Sequence, residues 1–87
     1  MGLFKIESKG SLEHDLRKID KQFIPRILNA VESLAENPFP IQSRKMKGSE
    51  SSYRLRVGDY RVIYQVDTEN KVVTIFYARH RKEAYNR

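Results

Sequence analysis

The run "YRLRVGDYRVIYQV", Tyr53 to Val66, limits the fold more tightly than any other part of the chain. Large apolar residues alternate with arginines, a period of two that suits a pleated strand with one buried face and does not suit a helix. The alternation breaks only at Gly58-Asp59, and glycine at the first central position is what a two-residue type II′ hairpin turn requires. That turn fixes the pairing: Val57 faces Tyr60, Arg56 faces Arg61, Leu55 faces Val62, Arg54 faces Ile63 and Tyr53 faces Tyr64. Side chains alternate across a sheet, so Tyr53, Leu55, Val57, Tyr60, Val62, Tyr64 and Val66 share an apolar face. Arg54, Arg56 and Arg61 lie on the other.

Val72 to Ala78, rich in Val, Ile, Phe and Tyr, follows "DTENK" and adds a third strand in an antiparallel meander. With Glu69 and Asn70 at the centre of the turn, Val73, Ile75 and Tyr77 join the apolar face, while Thr74, Phe76, Ala78 and His80 join the arginines. An odd-length loop inverts that assignment.

An apolar sheet face needs a cover, and the N-terminal half contains two amphipathic segments. In "SLEHDLRKI" Ser11 is the expected N-cap, and Leu12, Leu16 and Ile19 fall on one helical stripe. His14 lies opposite that stripe and reads as a surface residue. A second helix over roughly residues 22–36 aligns Ile24, Ile27, Leu28, Val31, Leu34 and Ala35. Pro25 belongs in its first turn and "NPFP" ends it. Leu3, Phe4 and Ile6 form a short first strand. The segment "PFPIQSRKMKGSES" is long for a connection in a compact domain, which points to a functional loop or a further short strand. The chain is therefore read as one α+β domain, residues 1–87, in the order β-α-α-β-β-β, with two N-terminal helices on one face of a small antiparallel sheet.

Charge is placed unevenly. Residues 1–42 hold six Lys/Arg and six Asp/Glu, whereas residues 43–87 hold eleven and five, so the whole net charge of +6 falls in the second half. Such a field favours a polyanion: nucleic acid, the ribosome or an acidic protein. There is no cysteine, which excludes disulfides, thiolate catalysis and cysteine-held metal sites. No apolar run reaches membrane-spanning length and the N-terminus has no signal-peptide pattern, so a cytoplasmic protein with no membrane partner is expected.

Arginines directly opposite one another repel, and a purely structural sheet gains nothing from them. A sheet that receives phosphate does gain, because an anion turns the repulsion into shared attraction and guanidinium groups offer fixed bidentate donors. Arg44, Lys45 and Lys47 in the long segment, with Lys82 near the end, are further candidates for RNA or ribosome contacts. The tail "YARHRKEAYNR" adds Arg79, His80, Arg81 and Tyr85: a proton carrier, stabilisers of phosphorane charge, and a phenol that can donate or stack. His14 and His80 alone do not make a metal site, and no cofactor is implied.

The order of elements, the Tyr-Arg-x-Arg-x-Gly-Asp-Tyr-Arg-x-x-Tyr run and the closing His-Arg-x-x-x-Tyr together resemble the RelE/ParE superfamily of type II toxin-antitoxin toxins, over almost the whole chain. In the RelE branch the resemblance implies a metal-independent endoribonuclease that cleaves translated mRNA in the ribosomal A site. It also implies a cognate antitoxin, with which the toxin forms a hetero-oligomer. On this resemblance Arg54 and Arg56 match the basic pair of the second strand, and Arg61 matches the phosphate-binding arginine. Arg79 or Arg81 matches the group that assists the leaving oxygen, and Tyr85 matches the C-terminal tyrosine. RelE nucleases often carry lysines where Arg54 and Arg56 stand, and an arginine cannot deprotonate. The proton acceptor is then expected to be His80 first, on its ordinary pKa near neutrality, or else Tyr85 or a group of the ribosome or RNA. The alternatives from the same superfamily are a ParE-like toxin that inhibits DNA gyrase without chemistry of its own, and a degenerate homologue that only binds antitoxin.

Overall fold

The structure is a computed structural model that describes residues 3–82. Its elements are β1 (Lys5–Ser8), α1 (Gly10–Arg17), a single 3-10 turn (Lys21–Phe23), α2 (Ile24–Ser33), β2 (Ser43–Lys45), β3 (Ser52–Val57), β4 (Tyr60–Asp67) and β5 (Val72–His80). The strands form one sheet in the order β1-β5-β4-β3-β2. The α+β class and the central antiparallel meander are as expected. The sheet is nevertheless mixed, because β1 runs parallel to β5 at one edge. At the other edge β2 occupies part of the long connection, which thus contains a strand.

The β3–β4 hairpin has the register that the Gly-Asp turn dictates, from Val57 opposite Tyr60 to Tyr53 opposite Tyr64. Gly58 has φ 59° while Asp59 stays out of the left-handed region, the combination of a type II′ turn. Leu55, Tyr60, Val62, Tyr64 and Val66 are all buried in the core.

The β4–β5 pair starts as expected and then departs. Val66 faces Val73 and Tyr64 faces Ile75, around a four-residue loop centred on Glu69 and Asn70. Asp67 accepts hydrogen bonds from the Asn70 side chain (2.9 Å) and main chain (3.0 Å), which hold its carboxyl below the usual range. Beyond Ile75 the register shifts by one residue: Ile63 faces Tyr77, Val62 faces Ala78, Arg61 faces Arg79 and Tyr60 faces His80. Phe76 is the unpaired extra residue, a β-bulge. It inverts the expected faces for the rest of the strand. Tyr77 and Arg79 lie with the arginines, and Ala78 and His80 lie on the apolar face.

β1 covers only the first half of β5, and α1 takes over where it stops. Lys9 N donates to Ile75 O (2.9 Å) and Ser11 Oγ donates to Phe76 O (2.8 Å), which satisfies the carbonyl of the bulge. Ser11 is therefore not the helix cap. Lys9 holds that position, with no side-chain hydrogen bond. The helix also ends at Arg17, so Ile19 is buried from the segment after it. α2 is shorter than the expected span and is led in by the 3-10 turn, whose N-cap Asp20 accepts from Gln22 N at 3.2 Å. Pro25 sits in its first turn, as expected. Ile27, Val31 and Leu34 are buried at the i, i+4, i+7 spacing, whereas Leu28 is 40% exposed and lies off the packed stripe. Among the described residues no helix is long and apolar enough to cross a membrane.

Two measurements test this packing. Leu34→Ala should cost about 2–5 kcal/mol in urea denaturation, against less than about 0.5 kcal/mol for Leu28→Ala. Tyr64 is fully buried and its hydroxyl donates to Pro38 O at 2.8 Å. Burial raises its pKa above the ordinary value, an effect added to by Tyr53 and opposed by a hydrogen bond with Ser43. The folded state thus holds the proton more tightly than the unfolded chain. Its contribution is complete below the unfolded pKa near 10 and is lost as pH rises toward the folded value. Alkaline titration of stability should show this fall in the native chain, and it should be reduced in Tyr64→Phe.

Candidate phosphate-binding face

The bulge assembles the site. Arg56 pairs with Arg61, and Arg61 pairs with Arg79, so three arginines form one row across β3, β4 and β5. The next row along the same face is Arg44, Arg54, Ile63 and Tyr77. Directly opposed Cβ atoms lie about 4.5–5.5 Å apart. Like charges at that backbone spacing repel, and an anion held between them would turn the repulsion into attraction.

Arg61 is the buried member, 7% exposed, and its Nη1 donates to Gly58 O (3.1 Å) and Tyr60 O (3.0 Å). Those carbonyls anchor the charge beside the turn. Arg79 lies with its Cζ 4.2 Å from the centroid of the Tyr77 ring and its Nε 4.0 Å from Asp15 Oδ2. Arg56 is exposed and Arg54 is half-buried.

A cleft of about 580 Å³ opens beside the rows, lined by Arg26, Ile41, Gln42, Arg44, Arg54, Arg56, Gly58 and Arg61. Five arginines and no carboxylate line it, an arrangement that draws in a polyanion and repels a metal cation. Arg26 comes from α2, and its guanidinium lies 3.7–3.9 Å from where a Cβ on residue 58 would stand. Sequence reading missed it because nothing local marks it. Its place depends on how the start of α2 lies against the Gly58 turn.

The other expected residues divide. Arg44 joins the arginine face through its pairing with Arg54. Lys45, opposite Tyr53, alternates to the other face, and Lys47 is exposed beyond β2. Arg81 is exposed and its main-chain N–H donates to Asp59 O at 2.7 Å, which ties the end of β5 to the hairpin turn. Lys82 lines a second hollow on the α1 side, with His14, Asp15, Lys18, Arg79 and His80. His80 shares that hollow with Arg79 and lies outside the five-arginine cleft. Its ring meets Tyr60 edge-on at 5.4 Å, and its Nδ1 accepts from Lys82 N at 3.3 Å. A ring nitrogen already accepting a main-chain N–H, outside the five-arginine cleft, is poorly placed to take a proton from a group held in that cleft. Tyr85 lies outside the described residues.

Comparison with known proteins agrees with this architecture. Residues 6–85 match the family model described as the ParE toxin of the type II toxin-antitoxin system parDE. A protein of Methanocaldococcus jannaschii designated toxin RelE1 is 28% identical over 85 residues, 94% of each chain. The archaeal RelE-RelB complex from Pyrococcus horikoshii contains a chain with TM-score 0.80 and 29% identity, over 93% of this chain and 97% of that one. The toxin-antitoxin complex RelBE2 from Mycobacterium tuberculosis gives 0.69 and 26%, over 91% and 99%. Isolated RelE from E. coli, at 21% identity and TM-score 0.74 over 95% and 92%, shares the fold.

The row of like charges has a measurable signature. Arg56→Gln should raise stability by about 0.2–1 kcal/mol at low ionic strength. The gain should shrink in molar salt, where the Debye length falls to about 3 Å, as read by urea denaturation at the two salt concentrations.

Proposed function

The chain belongs to the ParE toxin family of type II toxin-antitoxin systems, within the RelE/ParE superfamily, and from that premise we propose that it is a RelE-type endoribonuclease cleaving translated mRNA in the ribosomal A site. The observation that carries the proposal is the Arg56-Arg61-Arg79 row beside a cleft lined by five arginines and no acid. A toxin that only docked on a protein would have no need to concentrate phosphate-sized anions at one spot.

In this mechanism the 2′-hydroxyl oxygen of one nucleotide attacks the adjacent phosphorus and the bond to the 5′-oxygen breaks. The products are a 2′,3′-cyclic phosphate and a free 5′-hydroxyl. Arg61, held by its two carbonyls, binds the scissile phosphate. Arg54 and Arg56 neutralise charge that develops on the phosphorane, and Arg79 assists the leaving oxygen. Arg44 and Arg26 guide the flanking backbone. The reaction needs no metal, since arginines supply the electrostatic stabilisation that a cation would otherwise give. With His80 outside the five-arginine cleft, the proton goes to Tyr85 or to a group of the ribosome or RNA. We infer a cytoplasmic site of action, where translating ribosomes are. The relatives solved as complexes with their antitoxins support a cognate antitoxin for this chain, bound in a hetero-oligomer.

The family match itself favours a second reading, a ParE-type toxin that inhibits DNA gyrase. Primer extension on mRNA in a purified translation system separates the two. Cuts within codons that require ribosomes support the nuclease; intact mRNA accompanied by gyrase inhibition overturns it. Arg61→Ala should lower cleavage about 10²–10³-fold, the scale of losing one transition-state charge stabiliser. Tyr85→Phe should also lower cleavage, and both variants should relieve growth arrest while circular dichroism shows a folded chain.

A further inference from the structure

We propose that Asp15 is a positioning residue for Arg79: a buried carboxylate on α1 that sets the direction in which the last arginine of the row presents its guanidinium. Its catalytic consequence rests on the RNA-cleavage reading above; the coupling itself rests on geometry alone.

Asp15 is 7% exposed, and it and Arg61 are the two buried charged residues among those described. Its Oδ2 has no hydrogen-bond partner and lies 4.0 Å from Arg79 Nε. A carboxylate removed from water is costly unless a cation compensates it, so the side chain has a strong physical reason to keep Arg79 close. Asp15 falls one turn beyond Ser11 on α1 and lines the α1-side hollow with Arg79.

That spacing explains how α1 delivers it. Ser11 and Asp15 stand four residues apart on one helix face. Ser11 is fixed to the bulge carbonyl of Phe76, and Asp15 then meets Arg79 farther along β5. Arg79 is thereby held in two directions. The Tyr77 ring beneath Cζ at 4.2 Å sets the plane of the guanidinium, and the carboxylate near Nε sets its rotation within that plane. At 4.0 Å the contact at Nε is an ion pair rather than a hydrogen bond, so the five guanidinium donors of Arg79 are not consumed by Asp15. The same bulge that moves Arg79 onto the arginine face thus also provides the anchor for the helix that aims it.

The test measures single-turnover cleavage on programmed ribosomes together with the Nε–H resonance of Arg79 in ¹⁵N-labelled protein. Asp15→Asn should slow cleavage about tenfold or more, as misdirection of a catalytic group does, with the half-saturating toxin concentration unchanged. It should also shift the Arg79 Nε–H resonance and speed its exchange with water. In an Arg79→Ala background Asp15→Asn should have no further effect. An equal loss in that background, or an Arg79 resonance unaltered by Asp15→Asn, overturns the proposal. If Asp15→Asn does not fold, Asp15→Glu, which keeps the charge but lengthens its reach by one methylene, carries the same readouts. Failure of the native chain to cleave overturns the nuclease reading instead, and the resonance then decides the coupling without it.

Discussion

Phe76 has no partner on β4, and the register downstream of it depends on that one extra residue. Without it, Tyr77 would enter the core and Arg79 would point under the helices. With it, Arg79 completes a row with Arg61 and Arg56, and the main-chain carbonyl left over at the bulge receives the Ser11 hydroxyl. The seam between α1 and the sheet and the composition of the charged face therefore have a common origin. A bulge also bends and twists the strand that carries it, which suits a strand whose first half pairs with β1 and whose second half lies against a helix.

The charged face is held in place by unlike means. Arg61 is anchored by carbonyls of the turn, Arg79 by a ring and a carboxylate, and Arg26 arrives from a helix beside the glycine of the hairpin. The guanidinium groups of Arg61 and Arg79 lose rotamer freedom when the chain folds rather than when a ligand arrives. Repulsion along the row is offset by the burial of the opposite face, where Val62, Tyr64, Val73 and Ile75 are fully enclosed. The apolar core thus carries the cost of keeping like charges together, and an anion bound there would meet Arg61 and Arg79 already ordered.

Much of this was legible in the sequence because a two-residue turn and strict alternation leave little freedom. Gly58-Asp59 determined five cross-strand pairs and the placement of Arg54, Arg56 and Arg61. The pattern misleads where the period changes without a marker. Nothing in "VVTIFYARH" signals that Phe76 is skipped, since every residue there suits a strand, so Tyr77, Ala78 and His80 were assigned to the wrong faces. Ser11 looked like a cap because capping and tertiary hydrogen bonding use the same hydroxyl. Asp15 and Arg26 acquire their significance only from helix placement, which local pattern does not encode. Leu28 fitted a stripe that proved narrower than its apolar content.

The edges of the sheet have a consequence of their own. β1 has four residues and β2 three, and each strand ends the sheet on its side. β5, which is long, would present a free ladder beyond Ile75, but α1 lies against it and Ser11 takes its first exposed carbonyl. β2 is both short and basic, with Arg44 and Lys45 side by side. A chain of this kind offers little template for strand addition by its own copies, because a second β2 would bring the same charges into register. Protection against polymerisation is therefore provided at one edge by a helix and at the other by two cations, one of which, Arg44, belongs to the charged face.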